Sequence, residues 1–579
     1  MKMISKIYIE LRLHYLKFGT IVQFRTQELA DFWAVSVKQT QRRLRHFSDD
    51  GLLTYEPGRG RGHLSQIHFL NDFRVELTDT MRHAITINDT DVMFYLFQLG
   101  VPTSWLAQFR RQLTNLLGLQ VQDDHKRILR QVSTRKITSL DPVNVAIHHE
   151  YELAMQLGDT LIKYDNGLQP GLAHHWTSNQ SATIWTFYLR KGVQFHNGKE
   201  MTSLDVKKTF ERVQQRVGDR YWQLINLVKI VPRATDVVEF YFSASEPLFA
   251  RFVVDAKYII IDCDSSIDNL HWIGTGAFEV VESTNDIFRL KAFNNYYGFR
   301  AMIDEVQYLL VDDDNIAKHL FNPEDYGNYD YIKKQRAIPG AEFVIANMNR
   351  KTIIQNVLVR EALYNIIDMR YFDRHLGDIA SHYNREDSIA DHSKSMQQAQ
   401  NLIRKSGYSG EPIVLGVLSH IKSAIDMAKG IQERAQQAGI YIEILYYSFT
   451  NDYYSDVLEQ QVDLVMLADV PMNDDEFAYI EFLTSPTLLV QKMLTIDLKN
   501  DLQQMVIQFK QAPTIEQRHT IYLTIDNWLT DHFFMIYTVH AVRDVYIHQF
   551  LANGEYGNDY KNAWQMPKGH KKSTTERDM

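Results

Sequence analysis

The sequence predicts a multidomain protein: a small α+β head, a helical connector and a large α/β body. Three observations point there. The chain has 579 residues, too many for one hydrophobic core. Its charge is uneven: residues 1–70 hold eleven Lys/Arg against six Asp/Glu, while the whole chain carries −9. Within residues 1–70 three helical patterns precede two strand patterns, whereas beyond about residue 126 strand-like and helical segments alternate.

The head, residues 1–70, is read element by element. Ile4, Ile7, Leu11 and Tyr15 recur at helical spacing over 4–17, and Gly19 ends that helix. Thr26 opens a second, short helix, TQELADFW, with a glutamate at capping distance. Ser36 is an N-cap for a third helix, VKQTQRRLRHFSDD, and Gly51 suits the position just past its end. Val37, Thr40, Leu44 and Phe47 share one face of that helix. The opposite face holds Lys38, Arg42 and Arg45, flanked by Gln39 and His46. Two short helices joined by a tight turn, the second basic on its outer face, describe a helix-turn-helix. LLTYE and HLSQIHFL then read as strands, with GRGRG between them. A dinucleotide cradle would need Gly or Ala where His63 stands, and no helix follows. The glycines are therefore a hairpin tip, and the head is a winged helix-turn-helix. Double-stranded DNA is its expected partner. Lys38, Gln39, Arg42, Arg45 and His46 would enter the major groove, and Arg59 and Arg61 on the wing would meet phosphates or the minor groove.

Residues 71–125 are dense in apolar side chains at helical spacing, as in DVMFYLFQLG, and no Pro/Ser-rich linker precedes them. They are expected to form a helical connector that offers a dimerisation or docking surface, so a homodimer is anticipated.

Composition sets outer limits. Apolar residues make up 45% and charged residues 23%, the proportions of an ordinary globular protein. A net charge of −9 argues against coating nucleic acid along the whole chain. The single cysteine, Cys263, excludes an intrachain disulfide and a Cys-based zinc site. Lys6, Glu10, Arg12 and His14 break up the apolar run a secretory signal requires, and no run reaches a membrane span, so a cytoplasmic location is expected. His148-His149-Glu150 and His174-His175 lack helical i, i+4 ligand spacing, and no nucleophile elbow occurs. No metal, cofactor or catalytic residue is expected.

The body, residues 126–579, carries signatures in a fixed order: TSLDP (138–142), DTLIKYDNGLQPGLAHHW (159–176), WTFYLRKGVQFHNGKEMTSLDVKKTF (185–210), GTGAF (274–278) and FNNYYGFRAMIDEV (293–306). This series resembles the extracellular solute-binding proteins of family 5, with Ala277 where the family usually has proline. The resemblance implies a two-lobed α/β fold of the class II periplasmic-binding-protein type, with a second lobe over about 311–495, that closes on a buried ligand. Joined to a winged head with a GRGR tip, the chain resembles the SgrR-type transcriptional regulators. The function so implied is a ligand-responsive regulator whose ligand, a peptide or a sugar derivative, enters the cleft between lobes. The alternative is the solute-binding component of an ABC transporter.

For the cleft, the resemblance maps a ligand-holding aspartate onto Asp469, in VMLADVPMNDDEFAYIEFL (465–483). The family's tryptophan is missing there and Val470 replaces its tyrosine, so Asp469 as a loop cap stands beside that role. Gly274 and Gly276 are expected near the cleft, where the absence of side chains permits close backbone approach. Thr275 is expected to be structural, Trp185 and Phe187 to be core, and NDDE (473–476) to be a solvated loop.

Overall fold

The computed structural model describes residues 4–548 except 59–62, 88, 90–91, 94, 97–98, 100, 103–104, 106–108, 110–117, 122–124, 134–136, 146, 166, 219–220, 285, 311–330, 373–376, 390–392, 420, 449–451, 453–454, 472–474 and 487. The head contains α1 (Lys6–His14), β1 (Ile21–Phe24), α2 (Thr26–Phe32), α3 (Val37–Asp49), β2 (Leu53–Glu56) and β3 (Ser65–Phe69). Its sheet has the order β1-β3-β2 and is antiparallel throughout. β1 was not anticipated; at four residues it is too short to show a period, and only its pairing with β3 reveals it.

α3 starts where Ser36 Oγ accepts the Gln39 N–H at 3.3 Å and the Gln39 side chain accepts the Ser36 N–H at 3.1 Å, a reciprocal cap. It stops at Gly51, whose φ of +74° is costly for any residue with a Cβ. Thr40, Leu44 and Phe47 are buried, as the helical spacing requires. Burying Leu44 and Phe47 contributes about 1.5–3 kcal/mol each.

The interval 71–125 is shared between its neighbours. α4 (Phe73–Ile87) packs Leu77 and Met81 into the same core as Tyr8, Leu44 and Phe47, and Met93, Leu96 and Phe109 join it. A polar bolt fixes α4 to α1. The Tyr8 hydroxyl donates to Glu76 at 3.0 Å, Arg12 pairs with Glu76 at 3.5 Å, and the Arg12 guanidinium lies over the rings of Phe69 and Phe73. Burial raises the Glu76 carboxyl above its usual range, and the Arg12 charge only partly offsets this. β4 (Gly118–Val121), by contrast, pairs with β5 (Arg127–Ser133) in the body.

The body's first lobe holds α5 (His148–Leu157), a ribbon of β6 (Ile162–Tyr164) and β7 (Leu168–Pro170), β8 (Ala173–Ser178), β9 (Ile184–Leu189), α6 (Ser203–Val217), β10 (Leu227–Ala234), β11 (Val237–Phe242), β12 (Phe278–Ser283), β13 (Ile287–Ala292) and β14 (Glu305–Leu310). Two sheets result, β10-β11-β9-β8 and β12-β13-β14-β5-β4. Trp185 and Phe187 lie in the core, as expected.

The second lobe contains β15 (Tyr331–Ala337), β16 (Ala341–Ala346), α7 (Val357–Ile366), β17 (Gly377–Ile379), α8 (Met396–Ser406), β18 (Ile413–Leu418), α9 (Lys422–Gln437), β19 (Ile442–Tyr447) and β20 (Leu464–Asp469). It continues through α10 (Asp475–Thr484), α11 (Ile496–Gln511), α12 (Ile515–Asp531), β21 (Met535–Tyr537) and β22 (Val539–His548). Its sheets are β19-β18-β20-β16-β21 and β15-β22-β17. The lobe thus runs past the expected limit at 495, because β21 pairs with β16 and β22 with β15 and β17. Among the described residues, no helix is long and apolar enough to cross a membrane.

Candidate functional sites: a basic helix face and an inter-lobe cavity

On the head, α3 presents Lys38, Gln39, Arg42, Arg45 and His46 together, and all five are exposed. Their shared face follows from burying Thr40, Leu44 and Phe47 on the other side. Two of the five also have local duties. Gln39 closes the cap with Ser36, and His46 lies 3.6 Å from Asp50. Arg43, between the two faces, lies over the Trp33 ring at 5.4 Å and braces the turn between α2 and α3. The wing strands pair from Leu53↔Phe69 to Glu56↔Gln66, and the Gly58 N–H donates to Ser65 Oγ at 3.1 Å where they part. Arg59 and Arg61 lie outside the described residues.

In the body, the two most specific sequence signatures hold each other. The His196 N–H donates to Gly274 O at 2.9 Å, and the His196 ring lies 3.1 Å from Gly276 O. Burial pushes the His196 imidazole down to about 4, so it is neutral at pH 7. A Cβ at Gly274 would meet Leu157 O at 2.2 Å, and one at Gly276 would meet Gln156 O at 2.3 Å. Both glycines are buried, and the backbone they approach is the end of α5 in their own lobe. Thr275 is fully buried and accepts the Asp159 N–H at 3.3 Å.

Asp205, Asp262 and Asp264 bring carboxylate oxygens within 4.8 Å of one another. The Lys199 ammonium sits among them at 2.7, 2.7 and 3.0 Å and already supplies the positive charge a cation would bring. Although Asp262 is buried, its carboxyl is drawn down to about 2 by Lys199 and by hydroxyl and amide donors. Of the histidine pairs, His148 lies 3.5 Å from Glu152, and His174 and His175 are exposed beside Tyr188.

A cavity of about 810 Å³ lies between the lobes. Tyr164, Leu248 and Arg251 line it from the first lobe. Gly340, the segment 384–387 and residues of α10 and α12 line it from the second. Asp469, at the end of β20, accepts a hydrogen bond from the Tyr383 hydroxyl at 2.5 Å, and its backbone oxygen closes over Gly340. It therefore stands behind the cavity wall, with its carboxylate engaged by Tyr383. Of the acidic run 473–476, residues 473 and 474 lie outside the described residues, and the remaining two depart from the solvated loop expected of them. Asp475 starts α10, and Glu476 lines the cavity 2.7 Å from the His519 ring. That pairing spans 43 residues and no local pattern signals it.

Beside the cavity the lobes are tied together. Phe477 and Glu481, one turn apart on α10, both reach the first lobe. Phe477 packs on Phe252, and Glu481 accepts from Tyr221 at 2.5 Å and Trp222 at 3.1 Å and forms an ion pair with Lys257. Burial alone would lower the Lys257 ammonium; the carboxylates of Glu481 and Asp255 outweigh it and hold it above its usual value. A second buried pair, Lys510 with Glu246 at 2.7 Å, joins α11 to the first lobe.

Comparison with known proteins matches both parts. Bacterial extracellular solute-binding proteins, family 5 (middle region), match residues 167–488, and the N-terminal region of the sugar transport-related sRNA regulators matches residues 4–124. An uncharacterized protein of Bacillus subtilis, YhjP, is 23% identical over 86% of this chain and 87% of its own length. The HTH-type transcriptional regulator SgrR of Shigella flexneri is 28% identical over 48% of this chain, and that match spans about half of SgrR, 49%. Among solved structures, the periplasmic binding protein DppA of Helicobacter pylori, in complex with a peptide, aligns with a TM-score of 0.64 at 16% identity, covering 75% of this chain and 97% of that one. The murein tripeptide binding protein MppA of Escherichia coli also reaches 0.64, at 15% identity over 76% of this chain and 97% of its own. At these identities the two structures speak for the fold alone.

Proposed function

The chain belongs to the family 5 bacterial extracellular solute-binding proteins and carries an SgrR-type N-terminal region, and from that premise we infer that it is a ligand-responsive transcriptional regulator. The observation behind this is the union of two surfaces in one chain: an exposed basic face on a capped recognition helix, and a cavity between two binding lobes.

On the DNA side, Lys38, Arg42 and Arg45 reach base edges and phosphates of the major groove, with Gln39 and His46 at the margin. Arg59 and Arg61 on the wing contact phosphates. A homodimer would set two such heads on half-sites one helical turn apart. A DNA target requires a cytoplasmic protein. On the sensor side, a peptide or sugar derivative enters the inter-lobe cavity and favours the closed form by its differential affinity for it. Gly274 and Gly276 serve the site from behind by fixing the loop on α5, and Asp469 serves it through Tyr383 and Gly340. A coupling of about 1–3 kcal/mol between cavity and head changes DNA affinity about 5- to 150-fold.

The test begins with selection of duplexes from a random pool by the purified full-length protein. Arg42→Ala with Arg45→Ala should weaken binding to the selected site by about 1–3 kcal/mol for each base-edge interaction removed. Arg59→Ala with Arg61→Ala should weaken binding to all sequences alike and flatten the salt dependence by about 1 for each phosphate no longer neutralised. Parent-like DNA binding by both double variants would remove the DNA-binding assignment.

A further inference from the structure

A second cavity, of about 160 Å³, lies where the lobes meet beyond the Glu481 tie. Along α10, Glu476 and Phe477 face the larger cavity, Glu481 makes the tie, and Thr484 reaches the smaller cavity. The first lobe contributes Tyr221 and Trp222, a few residues past the end of α6. Their polar ends are engaged by Glu481, so what they offer the cavity is ring surface. Trp222 is also fixed in place. Its ring packs against Phe252 at 4.9 Å, and its carbonyl accepts from the Lys510 ammonium at 2.6 Å.

The second lobe contributes one face of α11. Lys499, Leu502, Gln503 and Val506 follow the i, i+3, i+4, i+7 spacing that gathers side chains on one side of a helix, and all four line the cavity. Leu502 and Val506 are buried and present hydrocarbon. Lys499 and Gln503 are half-buried, and neither side chain has a hydrogen-bond or ion-pair partner among the described residues. The Glu481 carboxylate is matched by Lys257. Lys499 is therefore an unmatched positive charge on the wall of a mostly apolar space.

We propose that this smaller cavity is a second ligand site, for a small aromatic carboxylate. One ring lies against Tyr221, Trp222, Leu502 and Val506, and the carboxylate meets the Lys499 ammonium. Size selects the ring: an apolar cavity of about 150 Å³ holds one benzene-sized guest. Charge selects the acid. A half-buried ammonium without a partner gains a charge-assisted hydrogen bond from a carboxylate and only a repulsive or weak contact from a neutral amide. The walls belong to both lobes, so an occupant adds to the contact that Glu481 makes. The site is separate from the larger cavity and does not depend on the ligand-sensor reading above.

The full-length protein is titrated with phenylacetate and with its neutral, near-isosteric amide, phenylacetamide, by calorimetry and thermal melting at equal ionic strength. Phenylacetate should raise the melting temperature of the parent and bind at least about fivefold more tightly than the amide. Lys499→Gln should remove that preference and leave the affinity for the amide unchanged. Val506→Phe, which sets a ring of its own in the cavity, should abolish binding of both compounds. Where Val506→Phe itself lowers the melting temperature, Gln503→Trp, which adds a ring from the half-buried side, carries the same expectation. Arg404→Gln, on the exposed side of α8, should bind like the parent. The proposal is overturned if neither compound stabilises the parent, or if Lys499→Gln keeps the preference for the acid. Binding that survives both Val506→Phe and Gln503→Trp would put the guest in the larger cavity and overturn it equally.

Discussion

On α3 of the head, Lys38, Arg42 and Arg45 are exposed and have no ion-pair partner among the described residues, whereas in the body Lys257 and Lys510 are buried against Glu481 and Glu246. The two regions use the same residue types for opposite ends. An exposed cation keeps its hydration and stays available to a polyanion from outside. A buried cation has lost its water and needs a fixed partner, so it ties chain segments together. The two buried lysines differ as well. Lys257, near two carboxylates, is held above its usual value, while burial depresses Lys510 despite the attraction of Glu246. The tie at Glu481 also gathers more of the first lobe, because Tyr221, Trp222 and Gln223 donate to the same carboxylate.

Breaking that tie should have the largest effect. Glu481→Gln leaves Lys257 buried without its main counter-charge and should cost about 3–5 kcal/mol in urea unfolding of the body. DNA binding by the ligand-free protein should shift by no more than the coupling of about 1–3 kcal/mol between body and head, and if it falls as steeply as body stability, the separation of the two regions is wrong. A smaller effect belongs to the head. Ser36→Ala removes the cap of α3 and should cost about 1 kcal/mol, read as loss of helix and of DNA affinity together. Acid should weaken the fold as well. His196 titrates near 4 in the folded protein against 6.5 when unfolded, so the folded state binds fewer protons in between. Its contribution is intact above about pH 6.5 and is lost as pH falls toward 4. Unfolding measured at pH 7, 5.5 and 4 should show this decline, and His196→Gln should flatten it. An unchanged slope would mean that His196 is not what couples stability to acid in this range.

The head was legible almost element by element, and the reason is distance along the chain. Ser36, Gln39 and Gly51 bound a helix by contacts three residues long, and Leu44 and Phe47 turn its basic face outward by helical period alone. β1 escaped notice because it forms only by pairing with residues more than forty positions away. The body was recognisable through its motifs, but their roles were not. LRKGVQFHNGKEM and GTGAF stand out in the sequence, and folding shows that His196 of one fastens the backbone of the other.

Residue order alone therefore settled the two-part plan of this protein, the capped basic helix and the membership of its body in a two-lobed family. Each rests on short-range periodicity, capping chemistry or contiguous motif. Tertiary structure settled what faces the cavity. It turned Glu476 from a loop residue into a wall, set Asp469 behind Tyr383, and brought Arg251 and Arg518 to one space from 267 positions apart in the sequence. Charges that distant acquire meaning only when burial decides which of them keep water and which find partners.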